Sequence, residues 1–249
     1  MGAWNTLHLF DSDQFYEKGV SVLKGESKTL LKDYSDFIRS FGIGGVADLS
    51  ADQLNQLIEQ SVESIIETSN LFDDSLKKHQ IYDALDSDDQ KRVYLNEHAH
   101  YYDFDRFFEY YLFKHYADFY PHLNCGKHGL LGKLNPKRST VANEALYNLE
   151  DANNYFCADM MGIVNWIAKE DAELLLNCRE DFTPGESYDS LFNSFFTLVE
   201  IAVENGLGLL RGVDMRESIL EMLPQNKLTH PAKWETYDFH GIFDINKAE

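Results

Sequence analysis

The sequence predicts a mainly α protein: a multi-helix globular bundle in which residues 1–249 form a single α-helical domain, with at most a small β element formed by the termini. Three observations carry this. Helix start signals recur along the chain, apolar residues repeat at helical spacing behind them, and strand-like runs are confined to the two ends. Hydrophobic residues make up 44% of the chain and aromatics 14%, enough for a sizeable core and too many for a disordered chain.

Residues 4–10, with Trp4, Leu7, Leu9 and Phe10, are the first candidate strand. Asp11-x-x-Gln14 then has the form of a helix N-terminus. Leu30, Leu31, Tyr34, Phe37, Ile38 and Phe41 mark a helix that stops at Gly42, with Ile43-Gly44-Gly45 as a loop. Ser50-x-x-Gln53 is a capping box, in which the serine side chain accepts from a free N–H and the glutamine reaches back. Behind it Leu54, Leu57, Ile58, Val62, Ile65 and Ile66 line one helical face. Ser87-x-x-Gln90 is a second such box. Residues 94–120 carry twelve Tyr and Phe side chains, spread too widely for one helix face to hide, which predicts a helix buried between layers. Residues 160–176 and 188–203 are apolar on most sides and are expected as central helices, the second closed by Gly206. Asp214-x-x-Glu217 opens a last helix. Residues 237–243, with Tyr237, Phe239, Ile242 and Phe243, are the second candidate strand. Both apolar ends, Trp4 included, are expected to pack onto the helical body as a small antiparallel pair.

Charge narrows the function classes. The chain has 42 acids against 22 bases, a formal charge of -20, spread evenly along its length. Phosphate binding needs clustered Lys and Arg, so nucleic acid is not an expected partner. Anionic membranes are excluded on the same ground, and no apolar run is long enough to span a bilayer. Three widely spaced cysteines, Cys125, Cys157 and Cys178, do not form a disulfide framework and point to a reducing, cytoplasmic setting. The acid excess is sharpest on the predicted helix over residues 50–67. Asp52, Glu59, Glu63 and Glu67 run opposite its apolar face, and no Lys or Arg stands on the segment. Asp86, Asp88 and Asp89 form a second acidic group, without the glycine and distal glutamate of a calcium loop.

Residues able to do chemistry gather elsewhere. Cys125-x-x-His128, with His122 three residues upstream, has a spacing that can chelate zinc from a loop after Pro121. Glu200 and Glu204 stand one helical turn apart, and with Asn193 and Thr197 they form the polar stripe of an amphipathic helix. No nucleophile-elbow, Walker or dinucleotide-binding pattern occurs, and Gly206-Leu-Gly208-Leu-Leu-Arg-Gly212 has the wrong spacing for one.

Met1-Gly2-Ala3-Trp4, followed by Phe10-Asp11-Ser12-Asp13, resembles the opening of the MGAWG-type family of bacterial proteins, with Asn5 in place of that family's glycine. The resemblance spans these opening residues and implies a bacterial, cytosolic accessory protein; it implies no catalytic residue. Two functional readings follow. One is an acidic cytosolic binding protein of the immunity or antitoxin kind, which neutralises a basic protein partner through Asp52, Glu59, Glu63, Glu67, Asp86, Asp88 and Asp89. The alternative is a metal- or small-molecule-binding helical protein with an aromatic-lined pocket, an enzyme among the options, in which His122, Cys125 and His128 hold a metal.

Overall fold

A computed structural model of the protein describes residues 4–41, 46–73, 87, 101–127, 129–137, 140–150, 162–230 and 242–243. Along the chain run β1 (Trp4–Phe10), α1 (Ser12–Gln14), α2 (Val20–Leu23), α3 (Thr29–Phe41), α4 (Ala51–Asp73), α5 (Tyr101–His115), β2 (His122–Lys127), β3 (Leu134–Pro136) and α6 (Thr140–Glu150). There follow β4 (Gly162–Ile167), α7 (Lys169–Asn177), β5 (Phe182–Pro184), α8 (Asp189–Glu204), β6 (Gly208–Val213), α9 (Glu217–Leu220) and β7 (Ile242–Phe243). The chain divides into two compact units, Tyr16–Tyr111 and Met1–Phe15 with Leu112–Glu249, although no shift in composition marks the division.

The architecture is mixed α/β, which corrects the mainly α expectation. The larger unit is built on a five-stranded antiparallel sheet, order β4-β6-β1-β2-β7, beside a two-stranded sheet of β3 and β5. The β element is therefore no small terminal pair. β1 is the central strand, paired with β2 and β6, while β7 pairs with β2. Two further strands depart from the sequence reading: β4 lies inside a segment that reads as helix, and β6 in a stretch to which the sequence assigns no element. Residues 160–176 contain β4 and then α7, and Gly208–Val213 is β6. All six residues of β4 and five of the six in β6 are buried. A strand covered on both faces shows no polar alternation, so its apolar run cannot be told from a short buried helix.

Each face of the sheet has its own core. Leu7, Leu9, Leu123, Cys125 and Leu209 join Leu146, Leu149, Leu175, Phe195 and Val199, so α6, α7 and α8 cover this face. The opposite face carries the alternate β1 residues. Phe10 lies 5.7 Å from Phe15 and 5.8 Å from Trp166, and His8 lies 4.9 Å from Phe113 and 5.2 Å from Phe119, measured between ring centroids. Trp4 departs from expectation. It is 50% exposed while the rest of β1 is buried. Trp4→Ala should therefore cost roughly 1–1.5 kcal/mol in a urea melt, about half the value for a fully buried large side chain, because half of the residue stays in water. A loss above about 3 kcal/mol, the lower end for truncation of a buried aromatic, would contradict this placement.

In the smaller unit α3 packs on α4, and Tyr34 and Phe37 of α3 meet Phe107 of α5 with centroids 5.2 and 5.7 Å apart. Phe104, Phe107, Phe108, Tyr110 and Tyr111 of α5 are all buried, so these rings are hidden as a two-sided helix requires. The capping box at Ser50 is reciprocal: Ser50 N–H donates to Gln53 Oε1 at 2.9 Å, and Gln53 N–H donates to Ser50 Oγ at 3.3 Å. Asp11 caps α1 in the same manner, its carboxylate accepting the Gln14 N–H at 3.0 Å. Asp214 does not cap α9, which follows Arg216. Instead it lies at the end of β6, where its Oδ1 accepts the Trp4 N–H at 2.8 Å and its own N–H donates to Trp4 O at 2.9 Å.

Candidate functional site

The acidic face predicted for α4 is presented to solvent. Asp52, Glu59, Glu63 and Glu67 are exposed, while Ile58 and Ile65, on the other side of the helix, are buried. Among the described residues none of the four carboxylates makes an ion pair, whereas Glu150, Glu200 and Asp118 each have a cation. Asp86, Asp88 and Asp89 lie outside the described residues.

Beside this acidic face runs an apolar groove of about 610 Å³, lined by Leu30 and Leu31 of α3 and by Val62 and Ile66 of α4. Glu59, Glu63 and Glu26 border it, with Lys28 as the cation on its wall. Leu31 is 46% exposed, an apolar side chain left uncovered at the groove. Gly25, at φ +81°, lines the groove in a conformation that favours glycine. A Cβ there would stand 2.6 Å from Ile66 Cδ1, so a side chain would displace the Ile66 side chain and would be strained by the positive φ. A second cavity in the same unit, about 210 Å³, is lined by Tyr34, Leu57, Ser61, Ser64, Ile65 and Phe104.

Of the residues expected to hold a metal, His122 and Cys125 are not brought together. His122 and Cys125 lie on β2, a strand rather than the expected loop. His122 stacks with Tyr120 at 5.1 Å and lies 5.0 Å from His8, on one face of the sheet. Cys125 belongs to the core cluster on the other face. Residues three apart on a strand point to opposite sides, which a helix or loop spacing argument does not reveal. Burial pushes the Cys125 thiol up to about 12, against the opposing pull of Lys133, so the thiolate that a metal needs is disfavoured. His128 lies outside the described residues, and among those described no group of three or more His, Cys, Asp or Glu is placed to hold a metal. Glu200 pairs with Arg179 at 2.6 Å on a half-exposed surface, as a solvated helix face does.

Sequence reasoning missed a buried histidine pair. His8 and His122 both direct Nδ1 at the Phe119 carbonyl, at 3.1 and 3.0 Å. A carbonyl only accepts, so both Nδ1 atoms carry the proton. Burial holds both rings neutral. It lowers His122 to about 4 and takes His8 well below its ordinary value, where the neighbouring His122 pushes it further down. In neutral His8 the proton on Nδ1 leaves Nε2 as an acceptor, and the Thr6 hydroxyl donates to it at 2.9 Å. The alternation of β1 is the sequence signal that puts Thr6, His8 and Phe10 on one face. Nothing local signals the meeting with His122, which depends on the pairing of β1 with β2.

Comparison of the chain with protein-family models, with curated proteins and with solved structures finds no match. No helix among the described residues is long and apolar enough to cross a membrane.

Proposed function

We propose that this chain is an acidic binding protein that docks a basic protein partner on α4, in the manner of an immunity protein or antitoxin. The observation that carries the reading is the row Asp52, Glu59, Glu63 and Glu67, exposed and without an ion pair among the described residues, with Glu59 and Glu63 bordering an apolar groove. Like charges held on one face of a helix repel one another and weaken the isolated helix. A basic surface laid against them relieves this repulsion. Charge complementarity speeds encounter and rejects acidic competitors, and the Leu31, Val62 and Ile66 surface adds the apolar contact that slows dissociation. The same charge leaves nucleic acid and anionic membranes out of the reading. The setting is the bacterial cytoplasm, in keeping with the N-terminal resemblance and with Cys125 and Cys178 as free thiols.

Affinity capture from cell extract at low and at high salt tests this, with wild type beside the triple variant Glu59→Lys, Glu63→Lys, Glu67→Lys. The expected result is a basic protein retained by wild type at low salt, released as salt rises and not retained by the variant. Retention of the same protein by both chains at both salts sinks the reading, as does an absence of any basic protein.

A further inference from the structure

A separate pocket of about 210 Å³ opens in the larger unit, lined by Trp4, Thr6, Phe119, Asp214, Met215 and Glu217. Its polar groups share one property. Asp214 and Glu217 are exposed carboxylates, which only accept hydrogen bonds. The Thr6 O–H is committed to His8 Nε2, whose role is fixed in turn by the Nδ1 contact to Phe119 O, so the Thr6 oxygen offers the pocket only lone pairs. The rest of the lining is aromatic or thioether: Trp4, Phe119 and the sulfur of Met215. Trp4 is half exposed although it begins a strand that is otherwise buried. Its backbone is pinned to Asp214 by the reciprocal bonds at 2.8 and 2.9 Å, and Asp214 holds a left-handed conformation, φ +46°, unusual for a residue other than glycine. Among the described residues no Lys, Arg or His lines the pocket, and Lys127, opposite Trp4 in the strand register, is not part of its wall.

The geometry points to this pocket as the binding site for the head of an organic cation, a guanidinium or a primary ammonium, set against the Trp4 ring and neutralised by Asp214 and Glu217. Such a head carries only donors, and the pocket presents acceptors, two negative charges and π faces, which attract cations within about 6 Å of a ring centre. The volume suits a single side-chain head rather than a large ligand. The inference does not rest on the α4 reading: the lining residues all lie in the other unit, and the ligand is a small molecule or one basic side chain.

The test uses the full chain and N-butylguanidinium, with N-butylurea as a neutral control of nearly the same shape. The indole N–H of Trp4, assigned through Trp4→Phe, is followed by NMR. The expected result is a saturating shift of that resonance with the cation and none with the urea. Asp214→Asn combined with Glu217→Gln should weaken binding at least tenfold. Both replaced side chains are exposed, and Asn keeps an oxygen for the Trp4 N–H, so the wall stays formed. Trp4→Leu, read at the Thr6 amide, should weaken it severalfold. The inference is overturned if the urea shifts Trp4 as the cation does, if the cation leaves Trp4 unmoved, or if the double variant binds as tightly as wild type.

Discussion

Asp118→Ala is expected to lower the unfolding free energy by about 3–5 kcal/mol, the usual loss when one partner of a buried, hydrogen-bonded charge is removed. Asp118 is fully buried. Its two oxygens accept the backbone N–H groups of Lys227 and Leu228, each at 2.9 Å, and the Lys227 ammonium lies 3.4 Å away. That ammonium also donates to the carbonyls of Phe113, Ala117 and Pro224 at 2.7 to 2.8 Å. Asp118 and Lys227 thus fasten residues 224–228 to the end of α5. Alanine leaves two N–H groups without acceptors, at roughly 1–3 kcal/mol each, and removes the counter-charge of Lys227. Burial already lowers the Lys227 pKa and Asp118 opposes it, so the lysine is left closer to its neutral form. Asp118→Asn should fall between wild type and alanine, because the amide nitrogen cannot accept the second N–H. Urea unfolding measures all three. A loss below about 1 kcal/mol for Asp118→Ala would show that the fastening carries little.

Acid should destabilise the protein through its histidine pair before its carboxylates are fully protonated. The folded pKa of His122 lies at about 4, below its ordinary value of 6.5, so between these limits the unfolded chain binds the proton and the folded chain does not. The stabilisation is complete above pH 6.5 and is lost as pH falls toward 4. The interval from 6.5 to about 4 corresponds to roughly 3 kcal/mol. His8, lowered by burial and by His122, acts in the same direction. His122→Phe keeps an aromatic ring among Phe119, Tyr120 and His8 and removes the titrating group. Between pH 7.5 and 4.5 the urea midpoint of wild type should fall more steeply than that of the variant. Parallel curves for the two chains would contradict a neutral, buried His122.

What the sequence revealed was local. The capping boxes at Asp11 and Ser50, the helix of Leu30 to Phe41 and the apolar helix α8 each depend on residues within a few turns, and each forms as expected. Gly206 follows α8 in a left-handed conformation, which a glycine adopts without strain. The sheet depends on distance along the chain. β4 and β6 are recognisable as strands only once β1 lies beside β6, because burial on both faces removes their alternation. The same non-locality hid both the histidine pair and the cation pocket. Trp4 and Asp214 meet across 210 residues, and His8 and His122 meet only after β2 pairs with β1. The acidic face of α4 was legible because a surface stripe is a property of one helix. His122 and Cys125 were read on a loop, and the segment is a strand that sends them to opposite faces of the sheet.

The central claim is that the exposed acids of α4 steer a basic partner onto this chain. The direct measurement is the association rate constant with the captured partner as ionic strength rises. Wild type should associate fast at low salt and slow steeply with added salt, since steered encounter gains about 10–10³-fold from complementary charge. The variant Glu59→Lys, Glu63→Lys, Glu67→Lys should associate at least tenfold more slowly at low salt, with its melting temperature unchanged. Equal, salt-independent rates for the two chains would contradict the account.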